Sequence, residues 1–246
     1  MERELAVGVL RQESDRILAA ARSGREVLAA PVPTCPDWNL AELVKHLGRV
    51  YGWAHTIVSG QLTAPPAREA LPSRPENTSL VDWMEERRDL LLTALLAVPT
   101  DEPVWNFVVG APAPPSFWWR RQMHETLIHR VDAELAIGAP VSSADPAVAA
   151  DGLSEMLEFG GFTAVEALGA PAGLTVHLHA TDAERAEWTL DTEANSVTFT
   201  HAKGDVALRG TAWALDRWCW GRPADGELEV FGDLGAAEAW RATIER

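Results

Sequence analysis

The hydrophobic period of the chain changes at about residue 171, and this change limits the fold to a helical part followed by a part that contains strands. Before that point, apolar residues recur every three or four positions, which is the spacing of amphipathic helices. Glycine, proline and capping residues separate the helical segments from one another. We predict helices over residues 3–23, from Asn39 onward, and over 80–97, 116–138 and 146–168.

Beyond residue 171, apolar and polar residues alternate, as they do in strands with one buried face. This pattern predicts short strands over 174–180, 187–190, 197–200, 206–208 and 228–231, with helices over 211–219 and 234–245. A run of helices followed by a mixed segment is typical of an α+β protein with two domains. The predicted domains are an antiparallel helical bundle over residues 1–170 and a small α/β domain over 171–246.

The charge of the chain argues against nucleic acid as a partner. The formal net charge is −15, and Lys45 and Lys203 are the only lysines. A protein that binds a duplex needs a basic stripe to neutralise phosphates, and the sequence has none. We therefore expect no nucleic-acid partner.

The sequence also lacks the marks of a membrane or exported protein. No segment approaches the ~20 consecutive apolar residues of a membrane span, and the charged start, Met1 to Glu4, has no apolar signal core. Cys35 and Cys219 are the only cysteines, and two distant cysteines of this kind are most simply reduced thiols. We expect a cytoplasmic protein that does not bind a membrane.

The most informative motif is the pair Glu125 and His129 in the fourth predicted helix. Residues four apart lie on one helix face, one turn apart, so this carboxylate and imidazole project side by side. Such a pair makes two of the three protein ligands that a catalytic zinc usually has. His124 lies about 140° around the helix from His129 and does not fit the same face. A solvated surface pair is the competing interpretation, because this spacing is also common on exposed helices.

A third ligand is available on the second predicted helix, where His46 flanks the apolar face. Bundles build metal sites from side chains on facing helices, and His46 with Glu125 and His129 would leave a fourth position open. Arg130 and Asp132 could orient a ligand, or could equally form a surface ion pair. A lone histidine at such a position is otherwise a core or surface residue.

Another histidine pair occurs in the first predicted strand. His177 and His179 are two residues apart, which places them on one face of that strand. They could bind a metal together, but the sequence shows no third ligand nearby. We therefore favour ordinary strand residues at these two positions.

The order of several short motifs resembles that of the mycothiol-dependent maleylpyruvate isomerase family. The resemblance covers nearly the whole chain. Its motifs are Cys35-Pro36-Asp37-Trp38, Leu43-Val44-Lys45-His46-Leu47, Arg121-x-x-His124-Glu125-x-x-x-His129-Arg130-x-Asp132-Ala133-Glu134, Asp151-Gly152-x-x-Glu155, Gly210-Thr211-Ala212, Trp218-Cys219-Trp220-Gly221-Arg222 and Leu228-Glu229-Val230-x-Gly232-Asp233.

The resemblance implies a DinB-like metal-binding bundle followed by a domain similar in fold to sterol carrier proteins. It implies zinc, or another divalent metal, on His46, Glu125 and His129, with mycothiol as the thiol cofactor. It also implies that Arg222 belongs to the active site and meets a carboxylate, although from its position alone Arg222 would complement a helix C-terminus. The implied reaction is the cis–trans isomerisation of maleylpyruvate, in which a thiolate adds to a conjugated double bond and later leaves.

Two alternatives to the isomerase stay open. The same activated thiol would serve an S-transferase that conjugates mycothiol with electrophiles. In a different class, the chain would be a non-catalytic module whose C-terminal domain binds an apolar ligand or a protein partner. An enzyme of either kind would act on a small molecule and a low-molecular-weight thiol, as a monomer or a homodimer.

Overall fold

The computed structural model describes residues 1–76, 78–108, 110, 112–167, 173–194, 196–224 and 226–242, with side chains in the segment 146–167 described as far as Glu158. A helical bundle is followed by a small sheet domain, which confirms the predicted α+β class. The chain divides into two compact units, Met1–Ser142 and Ser143–Arg246. Within the described ranges, no helix combines the length and the apolar character that a bilayer span requires.

The first unit is a bundle of four long helices with one short helical turn between the first two. Its helices are α1 (Arg3–Ala21), α2 (Arg25–Leu28), α3 (Leu40–Ser59), α4 (Leu80–Ala97) and α5 (Ser116–Ala136). Helix α1 packs against α5 and α4, and α3 packs against α4 and α5. The four long helices were all predicted from the spacing of their apolar residues, whereas α2 was not.

Side-chain caps explain where α3 and α4 begin. The Asn39 side chain accepts a hydrogen bond from the backbone N–H of Glu42, and the Ser79 hydroxyl accepts one from the N–H of Asp82. Each cap satisfies an N–H group that has no partner inside its helix. The start of α3 is therefore defined locally, and with it the position of His46 in the second turn.

The connection between α4 and α5 packs around Trp118. It contains a short antiparallel ribbon of β1 (Val104–Trp105) and β2 (Pro112–Ala113). The Trp118 ring is fully buried, its Nε1–H donates to the carbonyl of Trp105 at 2.9 Å, and it meets the ring of Trp53 edge to face at 5.1 Å. Because Trp53 belongs to α3, this aromatic contact joins the start of α5 to the second half of α3.

Among its described residues, the second unit has a five-stranded sheet and three helices. The helices are α6 (Pro146–Ala167), α7 (Ala212–Cys219) and α8 (Leu234–Arg241). The strands are β3 (Thr175–Ala180), β4 (Glu187–Asp191), β5 (Ser196–Thr198), β6 (Val206–Gly210) and β7 (Glu229–Gly232). Their order is β5-β4-β3-β6-β7, with β3 and β6 parallel and the other neighbours antiparallel. All five predicted strands are present.

The predicted domain boundary between residues 170 and 171 lies outside the described residues and stays a prediction, and the division between the two compact units falls after Ser142. Helix α6 belongs to the second unit, where it packs against α7 and β5. Ser154 of α6 accepts a hydrogen bond from Trp188 Nε1–H of β4 at 2.9 Å. The apolar period predicts that α6 is a helix, but it does not say which neighbour covers its apolar face.

Candidate metal centre

Helices α3 and α5 bring His46, Glu125 and His129 together in the first unit. Glu125 and His129 lie one turn apart on α5, with Glu125 Oε1 3.3 Å from His129 Nε2. From α3, His46 Nε2 approaches the same carboxylate oxygen to 2.8 Å. One ligand atom from each residue lies within 4.8 Å of the other two. Two imidazole nitrogens and one carboxylate oxygen are the donor set of a catalytic zinc site, so these residues fit a divalent metal.

The orientation of His129 is set by Asp132. His129 Nδ1–H donates to Asp132 Oδ2 at 2.7 Å, and this hydrogen bond directs Nε2 toward Glu125. Asp132 is fully buried, and its other oxygen accepts a hydrogen bond from the Thr34 hydroxyl. A carboxylate behind a ligand imidazole selects the tautomer and makes the coordinating nitrogen more basic. Asp132 therefore occupies the position predicted for a residue that orients a ligand.

In the absence of a metal, the negative charge of Glu125 and the positive charge of His129 stabilise each other. Burial lowers the pKa of His129, but hydrogen bonds to Asp132 and Glu125 outweigh it and raise that pKa to about 9. Burial raises the pKa of Glu125, but His129, His46 and Arg121 hold it well below its usual value. The metal-free centre is therefore a carboxylate beside an imidazolium, and a metal ion would displace the imidazolium proton.

Two further side chains border the ligands. The ring of Trp38 lies 4.9 Å from the His46 ring and stacks on the His129 ring at 5.9 Å, measured between centroids. Arg121 Nη2 donates to Glu125 Oε2 at 2.9 Å, which leaves Oε1 facing the two histidines. The His46 side chain is 32% exposed, compared with 10% for His129, so solvent reaches the centre on the His46 side.

Other residues singled out in the sequence lie elsewhere in the bundle. His124 is buried and is not part of the three-residue cluster. The buried guanidinium of Arg130 forms ion pairs with Glu13 of α1 at 2.9 Å and with Glu134 of α5 at 2.7 Å. Arg130 thus joins α1 to α5.

Arg222 lies in the second unit, after the end of α7. It is partly buried, and its Nη1 donates to the carbonyl of Trp220 at 2.5 Å. Its predicted contact with a substrate carboxylate stays a prediction. Cys35 lies in the connector before α3, where its carbonyl accepts a hydrogen bond from the Trp38 N–H at 2.8 Å.

The contacts of Thr34 and Trp38 at this centre were not predicted from the sequence. Both lie in the proline-rich connector that precedes α3, and the bridge between Pro31 and Asn39 closes this connector on itself. The sequence does indicate that the connector lies near the candidate ligands, since it ends only a few residues before His46. Its contacts with His129 and Asp132 nevertheless depend on how α5 packs against α3.

Both halves of the chain match models of one protein family. Residues 9–134 match the model described as the mycothiol maleylpyruvate isomerase N-terminal domain. Residues 147–239 match the model described as the C-terminal domain of the same family. The gap between the two matched ranges contains the division between the two compact units.

Two solved structures of similar fold are of a mycothiol-dependent maleylpyruvate isomerase. The crystal structure of the mycothiol-dependent maleylpyruvate isomerase matches with a TM-score of 0.62 and 16% identity, over 95% of each chain. A histidine-to-alanine mutant of that enzyme matches with a TM-score of 0.61 and 16% identity, again over 95% of each chain. At this identity the likeness shows a shared fold. No curated protein sequence matches the chain.

Proposed function

The chain belongs to the mycothiol maleylpyruvate isomerase family, and from that premise we propose that it is an enzyme that uses mycothiol for a cis–trans isomerisation. The proposed ligands of its metal are His46, Glu125 and His129, and the proposed metal is zinc or another divalent ion. The observation that carries the proposal is the convergence of these three ligand atoms within 4.8 Å.

The chain's own residues would prepare this centre for a thiol. A divalent cation held there would lower the pKa of a thiol that reaches it, so that mycothiol is available as a thiolate near neutral pH. Asp132 holds His129 with Nε2 turned toward the other ligands, and Arg121 holds the second oxygen of Glu125. The exposed side of His46 leaves room for a thiol to approach.

The proposed reaction needs a nucleophile that adds and then leaves. A thiolate adds to a conjugated carbon–carbon double bond, the bond becomes single and rotates, and departure of the thiolate leaves the trans isomer. No protein thiol is required for these steps. Cys219 is poorly suited to them, because its burial raises its pKa well above the usual value and leaves it protonated.

We propose that Arg222 binds a carboxylate of the substrate. A guanidinium can donate two parallel hydrogen bonds to a carboxylate, which also offsets negative charge that develops on the substrate. Arg222→Lys keeps the positive charge but loses the planar pair of donors. We expect it to raise KM for a carboxylate substrate while the metal content stays that of the wild type.

The proposal is tested by metal analysis combined with an isomerase assay. The full chain is purified without an affinity tag, and zinc content and mycothiol-dependent isomerisation of maleylpyruvate are measured for the wild type, His46→Ala and His129→Ala. Each variant should lose one equivalent of zinc and the activity. His55→Ala, on the same helix as His46 but outside the cluster, should retain both.

The outcomes separate the three candidate functions. Loss of metal and activity in both ligand variants supports the isomerase. A metal-dependent conjugation of mycothiol to electrophiles, without isomerisation, would replace it with the S-transferase. Equal zinc content in the wild type and both ligand variants would overturn the proposed ligand set. If all three proteins also lacked isomerase and transferase activity, the non-catalytic module would be favoured.

A further inference from the structure

The sheet of the second unit carries a second cluster of potential metal ligands, which the proposed function does not use. It consists of His177, His179, Glu187 and His201, and one ligand atom from each of them lies within 4.8 Å of the others. Of the seven histidines in the chain, three meet here at one carboxylate.

The register of the sheet assembles this cluster. His179 of β3 lies directly opposite Glu187 of β4, and His177 lies two residues before His179 on the same face of β3. His201 comes from the connection between β5 and β6, and its ring contacts the His177 ring at 4.9 Å between centroids. The third ligand that the sequence did not show is therefore supplied by the neighbouring strand, and a fourth comes from the connection.

We propose that His177, His179, Glu187 and His201 form a second divalent-metal site, for which zinc is the expected ion. Three imidazoles and one carboxylate supply four protein ligands, which is the full number of a structural zinc site. Imidazole also suits copper and nickel, so the ligand chemistry selects a transition metal over magnesium or calcium.

The distances in the cluster approach those of a tetrahedral site. Donors bound to one zinc ion at ~2.0–2.1 Å are about 3.3 Å apart. His177 Nε2 lies 3.1 Å from Glu187 Oε2, and His179 Nδ1 lies 3.3 Å from Glu187 Oε1. His201 Nδ1 approaches Glu187 Oε2 to 2.6 Å. Small rotations of the exposed His201 side chain would spread these donors around one ion.

The burial of the ligands indicates a structural role for this site. His177 is buried in the sheet and His201 is the most exposed member, with side-chain exposures of 7% and 75%. A metal would therefore attach the exposed connection to β3 and β4. Four protein ligands also leave no position for a substrate, so the expected effect is on stability.

The test isolates the second site in the full-length chain. His46→Ala with His129→Ala removes the proposed first centre, and zinc binding to this metal-free double variant is measured by competition with a chromophoric chelator. We expect one zinc per chain. Cobalt should give the intense visible absorption of a four-coordinate ion, and zinc should raise the temperature of thermal unfolding.

Two single changes in that background test the ligands. His201→Ala alters an exposed side chain, so the variant should fold, as circular dichroism can check, and its zinc affinity should fall by at least about tenfold. Glu187→Gln should weaken binding similarly, whereas Glu193→Gln, the same change at an exposed position outside the cluster, should not. An absence of zinc binding in the double variant, or unchanged affinity in both ligand variants, would mean that the cluster is only hydrogen-bonded. Neither result would bear on the first centre.

Discussion

Asp132 orients His129 in the candidate metal centre without being one of the candidate ligands. Its buried carboxylate accepts hydrogen bonds from His129 and Thr34, and these contacts hold the imidazole ring in one orientation. An imidazole that is already oriented loses less conformational entropy when it binds a metal. The neighbouring carboxylate also makes its coordinating nitrogen more basic and so a stronger metal ligand. The affinity of the centre should therefore depend on this residue.

Asp132→Asn should weaken zinc binding at the first centre by about 10–100-fold, because the amide keeps the volume but loses the charge. The measurement is a competition titration near neutral pH in a His201→Ala background, which weakens the proposed second site. Asp101→Asn removes the same charge at an exposed position and serves as the control. An affinity equal to that of the control would show that Asp132 has no influence on the ligand.

The raised pKa of His129 predicts how the stability of the metal-free protein depends on pH. The pKa is about 9 in the folded chain, compared with an ordinary value of 6.5. The imidazolium therefore contributes its full stabilisation below pH 6.5, and this contribution is lost as pH rises to about 9. The loss should amount to ~1 kcal/mol per pH unit in that window.

Urea unfolding of the metal-free wild type and of His129→Gln at several pH values measures this contribution. The difference between the two free energies of unfolding should shrink from pH 6.5 to about 9 and then stay constant. Glu125 should not affect this comparison. Its pKa is lowered, so its contribution to stability is lost only at acidic pH, outside the range that is measured. A difference that does not vary with pH would contradict the prediction.

At the level of the helices, Gly48 of α3 packs directly against Trp83 of α4. A Cβ atom at this position would lie 2.3 Å from a ring atom of Trp83, whose side chain is almost fully buried. Gly48 is two residues beyond His46, so this contact also restricts where α3 can place that candidate ligand. The glycine is needed for the close approach of the two helices.

Gly48→Ala should destabilise the first unit by about 1–3 kcal/mol, because the overpacked ring must move. This loss should exceed the ~1 kcal/mol that alanine gains over glycine from helix propensity. Gly8→Ala is the matched control in α1, where an added Cβ meets nothing within 4 Å and should stabilise the helix. Urea unfolding monitored by circular dichroism measures both changes, and equal effects would contradict the packing argument.

At the scale of the whole molecule, the net charge of −15 influences stability everywhere. Like charges repel across the surface, and this repulsion acts against the compact state. The individual surface ion pairs offset little of it, because exposed pairs contribute only ~0–1 kcal/mol each. Long-range repulsion should therefore dominate the response of the protein to salt.

The unfolding temperature of the metal-free protein should rise when ionic strength increases from about 0.01 M to about 0.15 M. Over this range the Debye length falls from about 30 Å to about 8 Å, so repulsion between distant carboxylates is screened. Differential scanning calorimetry measures the shift, and sodium and potassium chloride should act equally if screening is the cause. A fall in unfolding temperature would show that attractive pairs dominate.

The sequence alone was sufficient for the order of the main elements and for the family. Apolar spacing, N-terminal caps and strand alternation are local properties, and they predicted the four long helices of the bundle and all five strands of the second sheet. The short motifs placed the chain in its family, which the two family models confirm. The pairing of Glu125 with His129 also follows from local geometry, since both lie on one helix.

Contacts between residues far apart in the sequence became clear only from the packing of the elements. It brought His46 from α3 to Glu125, placed Thr34 and Asp132 behind His129, and completed the cluster around His177 with Glu187 and His201. It also placed α6 with the second unit. The periodicity of an element predicts that one face is buried but not what buries it. Contacts between residues far apart in the chain therefore depend on how whole elements pack.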